Sequence, residues 1–201
     1  MKKKSLFFAI TLVAIFFTNT SHAQFSIEAN YGLNGSFEPS YNGFTHFGGG
    51  VSYDFDETFG AKIDFASDTF SIENEDTGIE SGSKNTRISL QGVMNVSNLI
   101  DSRASYGNFR VLAHAGGGLS ILKSDIPTLD KTDHIANVIM GISPQYKVAE
   151  NLYLGLDASM IFNISQHYYF DGTLTYVGQA NSITGIMYNV TAGLTYKFGS
   201  Y

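Results

Sequence analysis

Residues 186–198 read IMYNVTAGLTYKF, and every second residue from Ile186 to Phe198 is apolar. Residues 152–164, LYLGLDASMIFNI, repeat the pattern with apolar residues from Leu152 to Ile164. Successive side chains of a β-strand point to opposite faces, so each stretch predicts a strand with one apolar and one mostly polar face.

Six earlier segments alternate in the same way, at 25–33, 47–55, 59–65, 88–96, 109–121 and 136–146. Eight segments of about ten residues match the smallest membrane barrels, whose tilted strands need about 9–11 residues. The pattern predicts an all-β fold, an eight-stranded antiparallel up-and-down transmembrane β-barrel. Pro144 lacks a backbone donor, so we expect it at the frayed end or a bulge of the sixth strand.

Long and short connections alternate between these segments. The long ones are expected at 34–46, 67–86, 122–135 and 165–183, the short ones at 56–58 and 148–151. Outer-membrane barrels have long outer loops and short periplasmic turns. The link at 97–107 is longer than a tight turn. Asp171-Gly172, flanked by strand formers, predicts a hairpin at 168–176 that extends the last two strands beyond the lipid.

The N-terminus has the features of an export signal. Three lysines precede an apolar run at 6–17, too short to span a bilayer as a helix, and Ser21 and Ala23 precede an expected cleavage before Gln24. We therefore expect a signal peptide at 1–23 and one barrel domain at 24–201; an uncleaved anchor helix is the alternative. Removing the lysines changes the net charge from −6 to −9, which argues against nucleic-acid binding.

The polar face is expected to line the lumen. It is mainly Gly, Ser, Asn, Thr and Gln, whereas the water-facing wall of a soluble lipocalin-like carrier would be denser in Lys and Glu. Small polar residues with a few charges suit the packed interior of an eight-stranded barrel. The expected lumen network is Glu28, Lys62, Asp64, Arg87, Arg110, His114, Asp157 and Lys197. The expected aromatic girdle is Phe25, Tyr53, Phe55, Phe59, Tyr146, Tyr196 and Phe198.

Three stretches, Ser21-His22-Ala23, the first strand from Gln24 and residues 191–198, resemble the OmpA-like outer-membrane β-barrel family of Gram-negative bacteria. The resemblance implies an outer-membrane location with periplasmic termini. It also implies an assembly signal, Gly193, Tyr196 and Phe198, read by the barrel-insertion machinery. Three residues follow Phe198, so its aromatic ring is not terminal as in the family pattern. No peptidoglycan-binding role is carried over, because only the barrel is matched.

No catalytic residue, metal site or cofactor is expected. The outer-membrane lipid A deacylase family places Ser two residues after His, but Gly48, Gly116, Ala136 and Tyr169 stand at those positions here. His114 is expected to be a lumen hydrogen-bond partner. The other mature histidines, His46, His134 and His167, are expected to be solvated.

An acidic second loop is expected to be solvated and mobile, with cation binding or bridging to lipopolysaccharide as the alternative. Its members are Asp68, Glu73, Glu75, Asp76 and Glu80. Their spacing fits no EF-hand. Cysteine is absent, which excludes lipid acylation and thiolate metal ligands.

The predicted function is a structural and surface-interaction role through the outer loops. The alternatives are a small channel through a narrow polar lumen, a lipid-active enzyme or a soluble carrier. Outer-membrane lipid and lipopolysaccharide are the expected surroundings, and the sequence does not identify a partner for the loops.

Overall fold

The computed structural model describes residues 24–37, 40–73, 80–103, 107–126, 132–175 and 182–198. They contain eight strands and one short helix, α1 (Val96–Ile100). The strands are β1 (Gln24–Phe37), β2 (Ser40–Asp54), β3 (Phe59–Glu73), β4 (Glu80–Asn95), β5 (Phe109–Ser124), β6 (Thr132–Ala149), β7 (Leu152–Gln166) and β8 (Ile183–Phe198). Among these residues no helix combines the length and apolar character needed to cross a bilayer. The predicted signal peptide at 1–23 lies outside the described residues.

Each strand pairs antiparallel with the next, and β1 pairs with β8 to close the barrel. The predicted eight-stranded up-and-down barrel is therefore confirmed. The connections β2–β3, β4–β5 and β6–β7 lie at one end, together with Gln24 and Phe198. We call this the turn end, and the opposite end the loop end.

The apolar phase of each strand faces outward. Leu154 and Val190 are each 50% exposed, whereas Asn189, next to Val190 in the chain, is 2% exposed. The inner wall is mostly polar, because inward side chains such as Ser89 and Asn137 are also nearly inaccessible. This sidedness is the one that the alternation predicted, and it is the reverse of a soluble barrel.

The strands are longer than predicted, with 14 to 18 residues each. The expected first loop at 34–46 consists mostly of strand, since β1 ends at Phe37 and β2 begins at Ser40. The second is shortened in the same way, because β3 continues to Glu73 and β4 begins at Glu80. The expected loop boundaries were therefore wrong, because polar residues at the loop end continue the ladder.

Two of the three connections at the turn end, β2–β3 and β6–β7, are compact, and the third contains a helix. In the β2–β3 turn, Asp56 Oδ1 accepts hydrogen bonds from the backbone N–H groups of Thr58 and Phe59, at 2.7 Å each. The unusually long link after β4 contains α1, capped by Asn95, whose Oδ1 accepts from the N–H of Asn98 at 3.3 Å.

Pro144 lies inside β6 rather than at a frayed end. It pairs with Val111 of β5, while the ladder to β7 skips residues 143 and 144 and resumes in the same register at Gln145. The register shift in this ladder lies between Lys147 and Ala149. The missing proline donor therefore interrupts one of the two ladders without ending the strand.

Candidate functional site

The loop-end half of the lumen contains a buried apolar cluster. Its members are Phe70, Leu122, Ile135, Ile139, Ile161, Tyr168, Phe170 and Met187. The sequence analysis assigned a polar character to the whole inner wall and missed this cluster. Its sequence signal lies in β6, where Ile135 and Ile139 occupy the inward phase although the outward phase is also apolar from Ala136 to Ile142.

A small hairpin at 168–174 covers the cluster, and we call it the lid hairpin. Tyr168 and Leu174 form an isolated bridge, and the Tyr169 N–H donates to the Thr173 carbonyl at 2.8 Å. The ring of Phe170 is fully buried, and its centroid lies 4.7 Å from that of Phe70 on β3. The hairpin was predicted to extend the last two strands beyond the lipid. Instead its aromatic side chain packs against the barrel interior.

Hydrogen bonds attach the lid hairpin to several strands. Ser83 of β4 donates to the Phe170 carbonyl at 2.7 Å, and Ser124 of β5 donates to the Gly172 carbonyl at 2.8 Å. Gly172 has φ of +84°, and a Cβ there would lie 2.7 Å from Ser124 Oγ and even closer to the Gly82 carbonyl oxygen. The hairpin therefore approaches the barrel wall too closely for any other residue at this position.

Tyr41 at the loop end of β2 makes a further contact with the lid hairpin. Its hydroxyl donates to Asp171 Oδ2 at 3.2 Å. Burial, together with the negative charge of Asp171, raises the pKa of Tyr41 to about 12. The phenol is therefore held neutral across the physiological pH range.

A buried charged cluster lies below the apolar cluster. Asp68 accepts from Asn189 at 2.6 Å, lies 2.6 Å from His46 Nδ1, and is 3.4 Å from Arg87. His46 and Asp68 are 4% and 0% exposed. The expectation that both would be solvated was wrong, because β2 and β3 continue past them and place their side chains inward. Of this cluster, only Arg87 was among the predicted lumen residues.

A second cluster fills the middle of the lumen. Lys62 Nζ lies 2.9 Å from Glu28 and 3.8 Å from Asp64, so these three predicted residues are brought together. The Lys62 ammonium offsets part of the charge of the two carboxylates, since buried charges need partners of opposite sign.

His114 occupies the same level as this second cluster and bonds to Gln91 at 2.6 Å and to Asp157 at 2.8 Å. The space for its ring exists because the neighbour on β6 is Gly141, where a Cβ would lie 2.6 Å from the imidazole.

The Ser, His and Asp side chains here are not arranged for nucleophilic catalysis. Ser143 and Ser159 both donate to Asp157 rather than to His114. A nucleophilic serine needs the imidazole as its base, with the carboxylate on the opposite ring nitrogen. The described residues also contain no group of three His, Asp or Glu side chains able to hold a metal.

The turn-end half of the lumen is wider and more polar. Lys197 Nζ lies 2.7 Å from Asp54, Arg110 donates to Gln145 at 2.9 Å, and the guanidinium lies 4.1 Å from the centre of the Tyr153 ring. These groups line a vestibule of about 300 Å³. The cavity in the middle of the lumen measures only about 50 Å³.

The remaining histidines face away from these clusters. His134 is exposed on the outer face near the start of β6, in agreement with its expected solvated role. His167 is partly exposed and lies 3.1 Å from Asp133. Of the predicted acidic loop, Glu75 and Asp76 lie outside the described residues.

The predicted assembly signal lies on the last strand. Tyr196 and Phe198 both face outward near the turn end, with ring centroids 5.0 Å apart. Gly193 allows a close approach to β1, because a Cβ there would lie 2.6 Å from the Ala29 carbonyl oxygen. Recognition by the insertion machinery stays a prediction.

No family model and no curated protein sequence matches the chain. Among solved structures, it is similar to Neisserial surface protein A, with 12% identity, coverage of 88% of this chain and 97% of that chain, and a TM-score of 0.58. A major outer membrane protein from Thermus thermophilus is 13% identical, with coverage of 88% of this chain and 99% of that chain and a TM-score of 0.58. Ail, the attachment invasion locus protein of Yersinia pestis, was solved in complex with the heparin analogue sucrose octasulfate. It is 15% identical, with coverage of 88% of this chain and 99% of that chain and a TM-score of 0.52.

The class that this architecture defines is the eight-stranded outer-membrane β-barrel fold. Identities this low show the fold alone. The neighbours are consistent with the resemblance to OmpA-like barrels that the first and last strands indicated.

Proposed function

We propose that the protein is an outer-membrane barrel with a closed lumen, which acts as a structural and surface-interaction protein through its loop end. The observation that carries the proposal is the combination of an outward apolar wall with an interior filled by side chains. The wall is suited to lipid, because exposed apolar residues such as Phe65, Ile88 and Leu119 are register neighbours on successive strands.

The closed interior supports this role over that of a channel. The lid hairpin and the apolar cluster occupy the loop-end half, and the charged clusters leave about 50 Å³ in the middle. A hydrated path needs a continuous polar opening, and buried Phe70 and Phe170 stand across it. The contact of Ser143 and Ser159 with Asp157 likewise gives no support to an enzymatic role.

The loop end is the surface left to interact with the environment. Among the similar structures, the Yersinia pestis attachment invasion locus protein was solved in complex with a heparin analogue, so a barrel of this fold can bind a ligand. For this chain we propose that the loop end faces outward from the cell and that both termini are periplasmic.

The orientation is tested by labelling single cysteines in intact cells, since the native chain contains none. Asp125→Cys at the loop end should react with a membrane-impermeant maleimide. The matched variant Glu57→Cys, in an exposed turn at the opposite end, should react only after the outer membrane is permeabilised. The reverse pattern would overturn the orientation, and equal labelling of both with the protein recovered as a soluble periplasmic species would overturn the membrane location.

Conductance separates the proposal from the channel alternative. The purified chain in planar bilayers should give no stable single-channel steps at neutral pH. Steps of uniform size that disappear on heat denaturation would contradict the closed lumen.

A further inference from the structure

Four strands carry a continuous row of outward residues just above the apolar wall. Register pairs join Thr69 of β3 to Lys84 of β4, Lys84 to Lys123 of β5, and Lys123 to Thr132 of β6. All four side chains are exposed. The two lysines are therefore direct cross-strand neighbours with a threonine on either side.

These lysines are exceptional for their face of the barrel. Among strand residues whose side chains the structure describes, every other Asp, Glu, Lys and Arg belongs to the inward phase. The described residues place no carboxylate within 4.0 Å of either amine. Like charges directly opposite each other on one face destabilise a sheet, so an anion bound at the pair would offset its repulsion.

The height of the row fits the headgroup layer of a bilayer. Two rows below lies the apolar set Phe65, Ile88, Leu119 and Ala136, joined by the same register. Lys84 is four residues beyond Ile88, which is roughly 10 Å along the membrane normal for a strand tilted by about 40°. On β5 the apolar wall continues one row higher to Ile121, which is 46% exposed and lies two residues below Lys123, so the lysines stand roughly 5 Å above the end of the apolar wall. The interfacial layer is about 5–8 Å thick on each side of the hydrocarbon core, so the amines reach its phosphates.

We infer that Lys84 and Lys123 form a binding site for the phosphate groups of outer-leaflet lipid, with the Thr69 and Thr132 hydroxyls as flanking donors. This inference rests on the proposed outer-membrane location. Lysine binds phosphate as a point charge, and its long side chain adjusts to the depth of the headgroup. The site would fix one side of the barrel, formed by β3 to β6, against an anionic lipid.

The test uses the full chain in phosphatidylcholine nanodiscs that contain either diphosphorylated lipid A or the same lipid with its phosphates removed. Native mass spectrometry measures retained lipid A. The wild-type chain should retain the phosphorylated form, with affinity reduced about fivefold by K84Q or K123Q and about thirtyfold by both, from about 1 kcal/mol per lysine near an anionic surface. The variant K84R/K123R should retain it.

The matched control is K147Q, which removes a lysine at the turn end. Equal losses in K147Q and the double variant, or equal retention of the dephosphorylated lipid, would overturn the inference. The difference in gel mobility before and after boiling, measured in the same samples, reports whether the barrel has folded and inserted. A wild-type chain that inserts but shows no phosphate dependence refutes this site alone, whereas a chain that never inserts also refutes the proposed function.

Discussion

The two halves of the lumen are filled by different chemistry. The loop-end half is occupied by apolar side chains under the lid hairpin, while the turn-end half opens into a vestibule of about 300 Å³ lined by charged and polar groups. The buried cluster of His46, Asp68 and Arg87 lies where the two meet. The lumen is therefore closed at one end, since the vestibule opens at the turn end and the apolar cluster lies above the charged layer.

The largest expected effect comes from removing charge at the boundary. Asp68→Asn leaves Arg87 and His46 without their carboxylate in a fully buried position, and we expect a loss of about 3 kcal/mol in the free energy of unfolding. Urea unfolding of the reconstituted chain, followed by far-ultraviolet circular dichroism, measures the loss.

The matched change in the other half is Asp54→Asn. Asp54 pairs with Lys197 at 2.7 Å; the two side chains are 20% and 9% exposed, and both line the vestibule. Water can solvate the released amine there, so the loss should be about 1 kcal/mol. Similar losses from the two variants would mean that both halves are equally hydrated, and the contrast between them would fail.

Phe170→Ala should have the next largest effect, because it removes a fully buried ring from the contact with Phe70. Truncating a buried Phe costs about 3 kcal/mol in a core that cannot collapse. Part of this loss should appear as local opening of the lid hairpin, so we expect the free energy of global unfolding to fall by about 2 kcal/mol. Amide exchange at 168–175 should become faster, as measured by hydrogen exchange with mass spectrometry.

Phe109→Ala is the control for this substitution, because Phe109 is 54% exposed on the outer face near the turn end. Its replacement should leave exchange at 168–175 unchanged. Unchanged exchange in Phe170→Ala as well would show that the ring does not hold the lid hairpin in place.

The contrast between the halves also marks what the sequence can predict. The alternation in β7 and β8 specifies strands and sidedness, because burial of one face is a local, period-two property. Pairing inside the lumen is not local. Asp68 stands in a polar stretch that resembles a loop, and its partners His46 and Asn189 are 22 and 121 residues away. Phe170 gave no periodic signal, since only the fold brings it onto Phe70.

The smallest expected effect is the pH dependence of the contact between Tyr41 and Asp171 at the outer edge of the lid hairpin. Burial and the charge of Asp171 raise the pKa of Tyr41 from 10.0 to about 12, so the folded state favours the neutral phenol. The stabilisation from this contact is therefore complete below pH 10 and is lost as the pH rises toward 12. Ultraviolet difference absorbance between the wild-type chain and Tyr41→Phe should show the tyrosinate step near pH 12. Asp171→Asn should lower the pH of that step, because it removes the neighbouring negative charge. A wild-type step at the ordinary value near 10 would instead place Tyr41 in open solvent and contradict the contact between β2 and the lid hairpin.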